Sequence, residues 1–145
     1  METQQLHRGR LIDHIQLVVR DLPAAERFYG AIAEVLNIPI GGSGDGFFWI
    51  DELVVSTADS EAALGELTGR QHLAFQAQDR AMVDALYHAA LAHGGRDNGA
   101  PGLRPYHPDY YAAFMLDPDG NNIEAVYHGK AQRSAPSVHI TFDTD

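Results

Sequence analysis

The stretch His14-Ile15-Gln16-Leu17-Val18-Val19-Arg20-Asp21 returns as His72-Leu73-Ala74-Phe75-Gln76-Ala77-Gln78-Asp79, at a constant offset of 58 positions. The same offset carries Tyr29 onto Tyr87. Each copy is a histidine opening an alternating apolar run, then an Asp opening a helical one. A fixed-period echo of this kind marks a duplicated structural unit. Duplication also sets two histidines at equivalent points of two modules, and two facing imidazoles plus a carboxylate make a metal site.

Working outward from the first copy, Leu11 to Val19 is rich in branched residues and reads as a strand. Period two puts Ile15, Leu17 and Val19 on one face and His14, Gln16 and Val18 on the other. Asp21 suits an N-cap and Pro23 a first helical turn. Phe28, Ile32 and Val35 then give an amphipathic helix over Pro23–Leu36. Pro39 and Gly41-Gly42 end that region, and Gly44-Asp45-Gly46 is a turn. Phe47–Ile50 and Leu53–Thr57 form a hairpin about Asp51-Glu52. Ala58–Gly69 is the expected linker.

In the second copy, His72, Ala74 and Gln76 share a strand face. Asp79 caps a helix with Val83, Leu86 and Ala90 on its buried stripe, and Gly94-Gly95 stops it. Asn98–Pro108 reads as a Gly- and Pro-rich loop, Tyr110–Leu116 as a strand, Asp117-Pro118-Asp119-Gly120 as a tight turn, and Asn121–Tyr127 as the returning strand. The chain is therefore α+β, a single domain over 1–145: module one at about 11–58, module two at about 70–128, and a tail at 129–145. Ser137–Phe142 has strand character and either adds an edge strand or reaches a partner subunit.

Composition narrows the function. The chain has 145 residues, 45% of them hydrophobic and 21% charged, as an ordinary globular domain has. A net charge of −10 argues against nonspecific nucleic-acid binding and anionic membrane surfaces. No apolar run nears the roughly 18 residues of a membrane span. With no cysteine there is no disulfide framework, thiolate metal site or cysteine nucleophile, and a cytoplasmic location is expected.

The returning strand puts Glu124, Val126 and His128 on one face. A carboxylate within so apolar a strand is costly to bury alone, and metal coordination removes that cost. His14, His72 and Glu124 make a 2-His-1-carboxylate set for one divalent ion: Zn, Ni, Mn, Co or Fe. The opposing reading gives each histidine a structural or exposed place and leaves Glu124 solvated at an edge.

Asp13-His14-Ile15, Asp21-Leu22-Pro23-Ala24-Ala25-Glu26-Arg27-Phe28-Tyr29, His72-Leu73-Ala74-Phe75 and Asp117-Pro118-Asp119-Gly120-Asn121-Asn122-Ile123-Glu124 together resemble the vicinal oxygen chelate superfamily. That superfamily holds glyoxalase I, fosfomycin-resistance thiol transferases, extradiol dioxygenases and bleomycin-binding proteins. The likeness runs from about Leu11 to His128. It implies two βαβββ modules forming a cupped mixed sheet, metal ligands at His14, His72 and Glu124, and a homodimer in which modules often pair across subunits. Glyoxalase I takes a fourth ligand from the last strand of its first module; here that strand, Leu53–Thr57, has no carboxylate or amide. The resemblance thus implies a metal-dependent enzyme acting on vicinal oxygens of a small-molecule substrate. Lyase or isomerase chemistry leads, ahead of thiol transfer, ring cleavage or a non-catalytic, drug-sequestering role.

Arg104, Tyr106, His107, Tyr110 and Tyr111 cluster before and into a strand. Arg104 suits a carboxylate or phosphate, His107 a general acid or base, and the tyrosines substrate contact. The alternative is that this loop simply packs against the sheet end. Glu124 and His107 are the catalytic candidates. Trp49 and Phe48 line a cavity or fill the core, core being the weightier reading. Gln16 and Gln76, one pleat along from the histidines, are candidates to hold a water or ligand. His7, His88, His93 and His139 are expected to be exposed. His128 shares Glu124's face but lies two pleats along the strand, far for the same metal.

Overall fold

The computed structural model describes residues 5–60, 63 and 65–142. Within the expected linker Glu61, Ala62 and Leu64 lie outside the described residues, as do the last three positions of the tail. The elements are β1 (Gln5–Arg8), β2 (Ile15–Val19), α1 (Leu22–Leu36), β3 (Gly42–Gly44), β4 (Phe47–Ile50), β5 (Leu53–Thr57), β6 (His72–Gln76), α2 (Arg80–Ala92), β7 (Arg96–Leu103), β8 (Tyr111–Leu116), β9 (Asn122–Tyr127) and β10 (Val138–Thr141).

The duplication is literal. Each module is βαβββ, and the sheet orders β2-β5-β4-β3 and β6-β9-β8-β7 are the same path drawn twice. In each sheet the first and last strands of the module pair in parallel and the remaining pairs are antiparallel. The helix caps repeat too. Asp21 accepts from the Ala24 amide at 3.1 Å and Asp79 from the Met82 amide at 2.7 Å, satisfying donors that a helix start leaves unpaired.

One core joins the modules. Helices α1 and α2 pack against each other. Leu17, Phe28, Ile32, Phe48 and Val55 of module one share a buried cluster with Val83, Leu86, Met115 and Ile123 of module two. Full burial of each large side chain contributes about 1.5–3 kcal/mol.

A polar network locks the modules together. Tyr29 donates to Asp117 Oδ2 at 2.5 Å. Asp117 also accepts from the amides of Asp119 and Asn121 and from the Asn121 side chain. Asn121 Oδ1 in turn accepts from the Gln71 amide at 2.9 Å, and the Asn122 amide donates to the Gln71 carbonyl. These bonds fix where β9 begins relative to β6, and so set the register that pairs Ala74 with Glu124. Burial, reinforced by Asp117, raises the Tyr29 hydroxyl well above its ordinary pKa, so it stays a donor.

Several expectations are revised. The first strand starts at Ile15 rather than Leu11. Arg96–Leu103, read largely as loop, is an edge strand against β8 with two register irregularities around Gly99. Pro101 is tolerated there because an edge strand needs only one ladder of hydrogen bonds. Gly42–Gly44 is a strand as well. Its glycines leave room for the rings of Trp49 and Phe47, which a Cβ at Gly42 or Gly44 would overlap. The tail strand β10 pairs antiparallel with β1 of its own chain. Among the described residues no helix is long and apolar enough to cross a membrane.

Candidate functional site

Glu124 is 3% exposed, in the middle of β9, between Ala74 of β6 and Phe114 of β8. Both carboxylate oxygens are engaged. Oε1 lies 2.9 Å from His72 Nε2, and Oε2 accepts from the Tyr110 hydroxyl. Burial, reinforced by Glu124, pushes the Tyr110 hydroxyl up to about 12, so it remains a donor through the physiological range.

His72 Nδ1 lies 2.9 Å from the Asn122 carbonyl, which can only accept, so Nδ1 carries a proton. In a neutral ring Nε2 then holds a lone pair aimed at a carboxylate oxygen. Two acceptors at this separation are reconciled by a proton or a metal ion shared between them. The donor set fits a divalent metal: an imidazole nitrogen oriented through its other nitrogen by a backbone carbonyl, and a carboxylate held by a second hydrogen bond.

His14 stands apart. It precedes β2, on the other sheet, with Nδ1 2.7 Å from Asp13 Oδ1 and its side chain more than half exposed. The His14 hydrogen bond is the main influence lowering the Asp13 carboxyl. Among the described residues of one chain, no three His, Asp or Glu side chains converge on a common point. Of the three expected ligands, a single chain brings together His72 and Glu124.

The duplicated register explains the missing fourth ligand. Gln16 pairs with Val54 across β2 and β5, and its equivalent, Ala74, pairs with Glu124. The module-one counterpart of Glu124 is therefore Val54.

The two glutamines separate. Gln16 Nε2 donates to Ser56 Oγ at 2.8 Å and Ser60 Oγ at 3.2 Å, in a cavity of about 300 Å³ also lined by Asp45, Phe47 and Asp59. Gln76 borders a groove of about 600 Å³ beneath the β1–β10 ribbon. Trp49 is half-buried on β4, opposite Val54 and stacked on Phe47 at 6.0 Å, on a different sheet from Glu124; Phe48 is core.

The loop cluster also divides. Tyr111, expected beside Tyr110, points instead to α2, donating to Asp84 at 2.7 Å beneath the Arg80 guanidinium. Consecutive strand residues face opposite ways, and spacing in sequence hides that. Arg104 donates to the carbonyls of Ala100 and Leu103 and lies over the Phe114 ring, a local packing role. Tyr106 and Tyr110 meet edge to face at 5.0 Å. His107 pairs with His128, Nε2 to Nδ1 at 2.9 Å, a partner sequence reasoning did not find. The available signal was that His128 shares the alternation of Glu124 along β9.

A family model described as the Glyoxalase/Bleomycin resistance protein/Dioxygenase superfamily matches residues 11–125. No curated protein matches the chain. Among solved structures, it resembles a glyoxalase/bleomycin resistance protein from Albidiferax ferrireducens T118, at 28% identity and TM-score 0.65, covering 80% of this chain and 97% of that one. A glyoxalase-related enzyme from Fulvimarina pelagi shares the fold at 21% identity and TM-score 0.67, covering 93% and 99%. A glyoxalase/bleomycin resistance protein/dioxygenase family enzyme from Burkholderia phytofirmans PsJN does so at 23% identity and TM-score 0.62, covering 79% and 95%.

Proposed function

The chain belongs to the glyoxalase/bleomycin resistance protein/dioxygenase superfamily, and from that premise we propose that it is a metal-dependent enzyme acting on a small substrate with vicinal oxygens. The observation that carries the reading is the buried Glu124 carboxylate facing His72 Nε2 at 2.9 Å while His72 Nδ1 is committed to a carbonyl. That pair suits one divalent ion. When bound, the ion supplies Lewis acidity toward substrate oxygens.

The chain's own groups do the rest. Tyr110 fixes the second oxygen of Glu124, leaving Oε1 for the ion. The His107–His128 pair, adjoining Tyr110, moves protons. Lyase or isomerase chemistry is favoured over thiol transfer or ring cleavage, and the location is cytoplasmic.

We place the third ligand across a homodimer. The support is that His14 and His72 each stand at the start of an edge strand of its own sheet; a second copy laid along those edges would bring His14 of the partner subunit to His72 and Glu124. Mixed dimers test this arrangement. A dimer of one His14→Ala chain and one His72→Ala chain retains one complete site and is expected to bind one ion per dimer, while either homodimer binds weakly. Equal loss in the mixed dimer contradicts it.

A second reading, a ligand-binding protein without metal, draws on the convergence of only two ligands within the described residues of one chain. It predicts no metal uptake by the wild type at all.

A further inference from the structure

The hydrogen bonds around His107 single out a different nitrogen from the one its sequence position suggests. His107 Nδ1 lies 2.8 Å from the Pro108 carbonyl. A carbonyl only accepts, so Nδ1 carries the proton and, in the neutral ring, Nε2 holds the lone pair. That lone pair faces His128 Nδ1 at 2.9 Å, so Nδ1 of His128 must donate. The lone pair of His128 is thereby placed on Nε2. His128 is exposed, and no described residue takes this nitrogen. Both nitrogens of His107 are used, and the one free basic lone pair of the dyad is His128 Nε2.

The fold holds this arrangement from three sides. The two imidazoles lie edge to edge and nearly coplanar, with 5.1 Å between centroids and 25° between planes, as an in-plane N–H···N bond requires. Tyr110 packs edge-on against both, at 5.1 and 5.3 Å, while its hydroxyl reaches Glu124. Gly129, at φ +79°, allows close backbone approach, since a Cβ there would lie 2.7 Å from Asp109 Cβ. The loop carrying His107 is thus seated on the end of β9, about 13 Å along the strand from Glu124, and Tyr110 bridges the two, its ring on the imidazoles and its hydroxyl on Glu124.

We propose that His128 Nε2 is the proton-transfer atom of the site and that His107 is its positioning partner. The inference rests on the enzyme reading given above. For a substrate with a C–H on a hydroxyl-bearing carbon beside a carbonyl, the proton passes to His128 Nε2, the C–H electron pair forms the C=C bond, and the carbonyl π pair moves onto its oxygen, giving the enediolate. The imidazolium charge is shared with His107 through the Nδ1–H···Nε2 bond. Return of the proton from Nε2 to carbon or oxygen completes the step with no further reactant.

The test uses the full-length protein labelled with ¹⁵N-histidine. Long-range ¹⁵N–¹H spectra should show a pyridine-like Nε2 and a pyrrole-like Nδ1 for His128. In His107→Phe, His128 should revert to the Nε2–H tautomer that free imidazoles favour in water. Diethyl pyrocarbonate should acylate His128 several-fold faster than His107. A protonated Nε2 on His128 in the wild type, or equal acylation rates, overturns the assignment. For proton transfer itself, dihydroxyacetone in D₂O serves as the probe. The metal-loaded protein should speed exchange of its carbon-bound hydrogens, and His128→Gln should abolish that with metal content unchanged. Absent exchange in the wild type, or full exchange in His128→Gln, overturns the role. His72→Ala keeps the two failures apart, because it should remove the metal and leave the His128 spectrum as it was.

Discussion

Tyr29 of the first helix donates its hydroxyl to Asp117 of the last turn at 2.5 Å, both residues being about 1% exposed. The bond spans the two modules, and through Asn121 and Gln71 it reaches the strand that carries His72. The Asp-Pro-Asp-Gly-Asn turn thus positions the site from outside it. Tyr29→Phe leaves a buried carboxylate oxygen short of one donor. That should cost about 1–3 kcal/mol and lower Tm by several degrees, read by thermal unfolding. An unchanged Tm would show that the contact does not hold the modules together.

The duplicated caps should behave as independent copies. Asp21→Ala and Asp79→Ala each remove one side-chain acceptor from a helix start. Each should lower stability by about 1 kcal/mol. The caps sit on different helices and share no partner, so the double variant should show the sum. Urea unfolding measures all three. A marked departure from additivity would mean that the helix starts communicate.

Trp49 is the single tryptophan, and its ring lies where a side chain at position 42 would project. Gly42→Ala should push the indole out of its seat, shift its fluorescence toward that of a solvated tryptophan, and destabilise the protein by about 1–3 kcal/mol. Unaltered emission would place the ring elsewhere in solution.

Tyr110→Phe removes the hydroxyl that holds Glu124 Oε2. Loss of an outer hydrogen bond to a metal ligand typically weakens affinity 10–100-fold. Chelator competition should show a drop on that scale with the fold intact. Undiminished affinity would mean that Glu124 is held without Tyr110.

Much of this was legible in the residues, for identifiable reasons. The offset between His14 and His72 exposed the duplication, because the period-two strand and the Asp cap recur in register. Glu124 was noticeable because a carboxylate in an apolar strand demands a partner, and His72 is one. The strands at Gly42–Gly44 and Arg96–Leu103 were hidden, since glycine and proline carry no alternation of apolar side chains. The ribbon of Gln5–Arg8 with Val138–Thr141 pairs the two ends of the chain, a contact no local pattern announces. His107 with His128 is similar: the bond depends on a loop seated against Gly129. The place of His14 relative to His72 turns on how whole sheets are arranged, and a strand pattern carries no information about that.

The central claim is that His72 and Glu124 hold a divalent ion. Elemental mass spectrometry of the purified protein, stripped and then reloaded with Zn, Ni, Mn, Co and Fe in turn, tests it most directly against Glu124→Gln. We predict about one equivalent per chain for the wild type with at least one of these ions, and a large loss in the folded variant. Equal metal content in both proteins, or none in the wild type after reloading, would contradict the account.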